Sequence, residues 1–113
     1  KFIMHDYIGS FKGTALSGMA IFGYHLDLGK FQAAWIDSFH NGTAMMFSEG
    51  KRGNNEISVL GSYAYVTPEM EQHWGWRTDI EFKDDDEIII TAHNISPDGQ
   101  ESKATEIIYN RVK

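Results

Sequence analysis

Cysteine is absent from this chain, which excludes a disulfide framework and thiolate-ligated zinc but leaves the redox compartment open. Basic residues are scarce. Ten Lys and Arg stand against 16 Asp and Glu, a formal charge of −6, so a phosphate backbone would be repelled and nucleic acid is not an expected partner. No apolar run approaches the roughly 18 residues of a membrane-spanning helix, and no secretory signal opens the chain. A membrane is therefore not an expected partner, and the compartment defaults to the cytoplasm. Only two prolines interrupt 113 residues, and repeats and low-complexity tracts are missing. The length is that of one domain, 1–113, able to bury roughly two-thirds of the surface of its unfolded chain. The first residue is Lys1 and Phe2–Ile8 already reads as mid-strand, which leads us to expect a truncated start with further N-terminal strands upstream.

What the chain does contain is strand after strand. Its organising stretch is Gly29–Gly50, read as strands Lys30–Asp37 and Thr43–Glu49 around a Phe39–Gly42 turn. Period-two alternation puts Phe31, Ala33, Trp35 and Asp37 on one face, so a carboxylate ends an apolar row. Such a carboxylate is either the polar end of a pocket or a strand end in water. Before this hairpin, Phe2–Ser10 turns at Phe11–Thr14 into Ser17–Leu26, whose two faces are both largely apolar. After it, Glu56–Val66 aligns Ile57, Val59, Gly61, Tyr63 and Tyr65. His73–Lys83 shows the cleanest alternation, with Trp74, Trp76, Thr78, Ile80 and Phe82 together. Thr67–Glu71 between them holds one proline and is expected to form a short helical turn or lid. Glu87–Asn94 and Glu101–Val112 complete the chain across the Ser96–Gln100 turn. About eight strands joined by short turns predict an all-β fold, an antiparallel up-and-down meander that manages its edges by closing into a barrel. A small barrel of this kind has room for one ligand.

Two groups of residues, Gly23-Tyr24…Lys30-Phe31…Trp35-Ile36-Asp37-Ser38 and Pro97-Asp98-Gly99-Gln100-Glu101…Tyr109-Asn110-Arg111, resemble an uncharacterised, mainly bacterial family, domain of unknown function 1579. The similarity spans nearly the whole chain. Members of that family usually carry a further N-terminal segment with a G-x-W-like strand, in keeping with a truncated start here. The resemblance implies a lipocalin-like (calycin-type) barrel with a ligand-binding interior; it implies no activity, because fold alone does not carry function.

Tyr109 and Arg111 share a face of the last strand, and a similar tyrosine–arginine pair grips ligand carboxylates in intracellular lipid-binding barrels. The competing reading has Arg111 stacked on a ring or paired with Asp37 or Glu106. Trp35, Trp74 and Trp76, with Tyr63 and Tyr65, either wall a pocket or are simply core. Met45 and Met46 either shape an adaptable cavity or fill gaps. Five histidines occur singly, without metal-ligand spacing; His93 is the candidate if a haem were held. Asp84-Asp85-Asp86 lacks the spacing of a calcium loop and reads as a solvated hairpin tip, and no cofactor is expected. Asn41-Gly42-Thr43 matches a glycosylation acceptor.

Three functions follow. The first is a barrel binding a hydrophobic or carboxylate ligand through Trp35, Asp37, Tyr63, Trp74, Trp76, Tyr109 and Arg111. The second is a structural module that forms homo-oligomers through edge strands. The third is a barrel enzyme using Asp37 and His40 as an acid–base pair, although no nucleophile elbow, oxyanion loop or phosphate loop accompanies them.

Overall fold

Alternation governs the architecture. A computed structural model describes residues 2–39, 44–53 and 56–112. The strands are β1 (Phe2–Phe11), β2 (Thr14–His25), β3 (Lys30–Asp37), β4 (Met46–Gly50), β5 (Arg52–Gly53), β6 (Glu56–Val66), β7 (Glu71–Phe82), β8 (Glu87–Ile95) and β9 (Glu101–Asn110). All pair antiparallel in one curled sheet of order β1-β2-β3-β4-β6-β7-β8-β9, with the two-residue β5 on β6. No helix occurs among the described residues.

The connections explain why a meander results. β1 and β2 are joined by Lys12 (φ 50°) and Gly13 (φ 81°), two left-handed residues in succession, as the twist of a tight hairpin requires. Between β6 and β7, Thr67 and Met70 exchange backbone hydrogen bonds of 2.8 and 3.3 Å. That segment is a tight hairpin turn, not the helical turn or lid expected from Pro68; the long β6–β7 ladder leaves no slack for a lid. The second strand of the central hairpin begins at Met46 rather than Thr43, and residues 40–43, including the glycosylation-like triplet, lie outside the described residues.

Cross-strand partners share a face, so the register assigns the lumen. Ala20 and Phe22 of β2, Ala33 and Trp35 of β3, and Val59 of β6 point inward with Trp76 and Ile80 of β7 and Ile90 and Ala92 of β8. Val59 is the most enclosed, at 1% exposure. Thr78 faces Val59 on one side and Ala92 on the other, which marks the middle of the inner wall. β9 carries one extra residue: His93 pairs with Lys103 and Ala92 with Thr105, leaving Ala104 as a bulge.

Closure differs from expectation. β1 and β9 are the ends of the strand order and no backbone ladder joins them among the described residues. The sheet is an open half-barrel, bridged at that seam by side chains: His5 Nε2 and the Tyr109 hydroxyl lie 2.8 Å apart. Tyr109 stands opposite Ile88 on the inner face, so the bond spans the mouth of the curl.

Candidate functional site

The polar end of the lumen is a three-strand row. Tyr7 of β1 stands opposite Gly18 of β2, and Gly18 stands opposite Asp37 of β3. A side chain on Gly18 would fill the space between them; its Cβ would collide with the Tyr7 hydroxyl and come within 2.8 Å of the Ile36 carbonyl oxygen. Glycine therefore lets the tyrosine lie flat across β2 and donate its hydroxyl hydrogen to Asp37 Oδ2. The other carboxylate oxygen, Oδ1, accepts the Phe39 backbone N–H at 2.5 Å. Trp35, two residues before Asp37, donates its indole N–H to the Tyr7 hydroxyl at 2.8 Å. Asp37 is only 5% exposed, and a carboxylate so placed needs such donors. Burial, together with the hydrogen bond to Asp37, pushes the Tyr7 phenol well above its usual range, so it stays a proton donor.

His5, two residues before Tyr7 and on the same face, extends this polar end toward the seam. Its ring centroid lies 5.1 Å from that of Tyr7 and 5.4 Å from that of Tyr109. Burial lowers the His5 pKa, opposed in part by the Asp6 carboxylate; burial also raises the Tyr109 phenol. Near neutral pH the polar end thus presents an uncharged imidazole and protonated phenols.

Behind them lies a cavity of about 290 Å³. Its walls include Phe22, Trp35, Met46, Val59, Trp76 and Ile90, and both edge strands reach it, His5 and Tyr7 from β1 and Thr105 and Ile107 from β9. Trp35 and Trp76 stack at 5.2 Å between centroids, with 26° between planes. None of the described Lys or Arg side chains lines the cavity.

Of the residues read from sequence, Trp35 and Trp76 wall the cavity, and Asp37 holds Tyr7 at its end. Trp74 and Tyr63 sit alongside: Tyr63 packs 6.5 Å from both Trp74 and Trp76 and donates its hydroxyl to Asn94 Oδ1 at 2.7 Å. Met46 is buried core, whereas Met45 is exposed. Tyr109 and Arg111 do not act together. β9 ends at Asn110, and Arg111 turns away to the β7–β8 connection, where its Nε donates to the Asp85 carbonyl at 2.7 Å and lies 3.5 Å from Asp86. Its partner is neither Asp37 nor Glu106. His93 is on the outer face, beside Arg77 (3.3 Å) and Asp79 (4.0 Å), so it cannot ligate a group in the lumen. His40, the other half of the acid–base pair, lies outside the described residues. Groups of three or more metal-ligating side chains do not occur among the described residues.

His5, Tyr7 and Gly18 were not singled out from the sequence. Their signal was present: Ile3, His5 and Tyr7 alternate along β1 as Ala33, Trp35 and Asp37 do along β3.

The model of the family described as "Protein of unknown function (DUF1579)" matches residues 1–111. The chain belongs to the DUF1579 family. No curated protein and no solved structure is significantly similar to this DUF1579 member. Family membership agrees with the likeness of the Trp35–Ser38 and Pro97–Arg111 segments and assigns no activity, so the chemistry of the site has to speak for itself.

Two outcomes follow from the site. Gly18→Ala forces Tyr7 off Asp37 and should cost about 1–3 kcal/mol, read as a fall of several degrees in melting temperature. Gly9→Ala, where a new Cβ would meet only Leu16 Cδ1 at 3.9 Å, should stay within about 0.5 kcal/mol of the parent. The second concerns pH. His5 binds its proton less readily folded than unfolded, so its contribution to stability is complete above the unfolded pKa of about 6.5 and declines as pH falls toward its lower folded value. Denaturant titrations at pH 7.5 and pH 5 should show a smaller loss on acidification for His5→Asn than for the parent chain.

Proposed function

We propose that the half-barrel binds a small, neutral, largely apolar molecule in the lumen between Trp35, Trp76 and the β1–β9 seam. The observation that carries this reading is the cavity of about 290 Å³, near the lower bound of small-molecule pockets, with mostly aromatic and aliphatic walls and a few polar side chains among them, His5 and Tyr7 at the seam. Neutrality follows from the charge around it. None of the described Asp, Glu, Lys or Arg side chains lines the space, so a carboxylate ligand would lose its hydration without gaining a counter-charge. The carboxylate grip expected from Arg111 is not assembled, because that guanidinium serves the β7–β8 turn. His5 and Tyr109 instead suit a ligand hydroxyl, carbonyl or amide at the seam, where a guest can enter without crossing a backbone ladder.

The neutral fluorophore N-phenyl-1-naphthylamine, displaced by 1-decanol or by decanoate, tests the reading. The probe should brighten on binding, and decanol should displace it at concentrations at least about tenfold lower than decanoate, the difference a desolvated charge makes. Ala104→Trp, which places a large ring at the bulge lining the cavity, should weaken probe binding about tenfold or more while the chain stays folded. Absence of binding, or a preference for decanoate, would contradict the proposal.

A further inference from the structure

The outer face of the sheet is divided. Over β7, β8 and β9 it is charged: Arg77 meets Glu101 at 2.6 Å and Asp79 at 3.1 Å, with His93 alongside, and Lys103 meets Glu106 at 2.7 Å. Over β1 to β4 it is apolar. The register sets Met4, Ile21, Ala34 and Phe47 side by side across four strands, all pointing away from the lumen. Phe2, Ile36 and Leu60 flank that row. Exposures are 76% for Phe2, 61% for Met4, 69% for Phe47 and 53% for Leu60, high values for large apolar side chains paired within a sheet.

Three features identify what covers this face. The first is area: Phe2, Met4, Ile21, Ile36, Phe47 and Leu60 leave on the order of 600 Å² of mostly apolar surface open, the upper end for a monomer and most of the ~800 Å² that each side of a standard interface buries. The second is shape. Ala34 is the low point of a groove on this face, between Ile21 and Phe47 and with Leu60 also lining it, while the Phe2 ring lies down over Gly23. Large rings and a small-residue floor on one surface are self-complementary, since each copy offers both the knob and the hole, the condition for a two-fold contact. The third is charge. The chain carries −6, yet the acids of this patch are Asp6 at one margin and Glu49, which is paired with Lys30 at 2.9 Å. Two copies can approach here without stacking like charges, which the β7–β9 face would impose.

We infer that a second copy of this chain docks on the outer face of β1–β4, the two sheets packing face to face about 10 Å apart about a two-fold axis. The contact differs from edge-to-edge pairing through β1, which would leave Phe47 and Leu60 uncovered on β4 and β6. It is also independent of the lumen, whose side chains point the other way.

Sedimentation velocity of the full chain over a micromolar to submillimolar range tests this inference, with Phe47→Lys and Ile3→Lys as the informative variants. Phe47 is exposed, points outward and lies away from the β1 edge; Ile3 belongs to the edge strand and stands opposite Phe22 on the inner face. Circular dichroism first establishes that each variant is folded, and Leu60→Lys repeats the test from β6 if Phe47→Lys is not. The expected result is a parental dimer whose dissociation constant rises about a hundredfold or more in Phe47→Lys, the loss of one central apolar anchor and burial of a charge. A parent that stays monomeric throughout would overturn the inference. So would a dimer that survives Phe47→Lys and Leu60→Lys but is lost in a folded Ile3→Lys, which would assign the contact to the edge. A monomeric parent that co-sediments with phosphatidylcholine vesicles would assign the face to lipid and equally overturn it.

Discussion

A buried carboxylate cannot be left without donors, and in this half-barrel that requirement shapes the end of the lumen. Asp37 takes the Tyr7 hydroxyl on one oxygen and the Phe39 N–H on the other. For Tyr7 to reach it from β1, the intervening strand has to offer no side chain, and Gly18 meets that need. The Trp35 indole then bonds to the same hydroxyl, which fixes its ring where it can stack on Trp76. One electrostatic obligation thus couples β1, β2 and β3 and orients the aromatic wall of the cavity.

The two faces of the sheet do different work because strand side chains alternate. Inward, small residues such as Ala20, Ala33 and Ala92 are interleaved with Phe22, Trp35 and Trp76, and space remains between them. Outward, charged ladders cover one half and an apolar row covers the other. The open seam links the two properties. A closed ladder would seal the lumen, whereas the His5–Tyr109 bond joins β1 to β9 through side chains that can part without breaking the sheet.

Much of this was legible in the chain. Alternation alone yields β6 at Glu56–Val66, the face shared by Phe31, Ala33, Trp35 and Asp37, and the inner set Trp74–Phe82. It is silent on closure, because a strand alternates in the same way whether or not its edge finds a partner. Both apolar faces of Ser17–Leu26 were visible, but one turned out to line the lumen and the other, with Met19 and Ile21, to face outward. Alternation along Phe2–Ser10 puts His5 and Tyr7 on one face, but their partners are 104 and 30 residues away, and no local pattern names those partners. Arg111 was misplaced for a simpler reason: strand alternation was carried past Asn110, where the ladder ends and the backbone N–H of Arg111 turns to Asp86.

The central claim is that Tyr7, held by Asp37 and Trp35, anchors the polar end of the lumen. Proton NMR of the chain in water reads it directly. The account predicts a Tyr7 hydroxyl resonance that is observable, shifted to low field and coupled by a nuclear Overhauser effect to the Trp35 indole proton. Rapid exchange of that hydroxyl with solvent, or an indole proton of Trp35 with no contact to Tyr7, would contradict it.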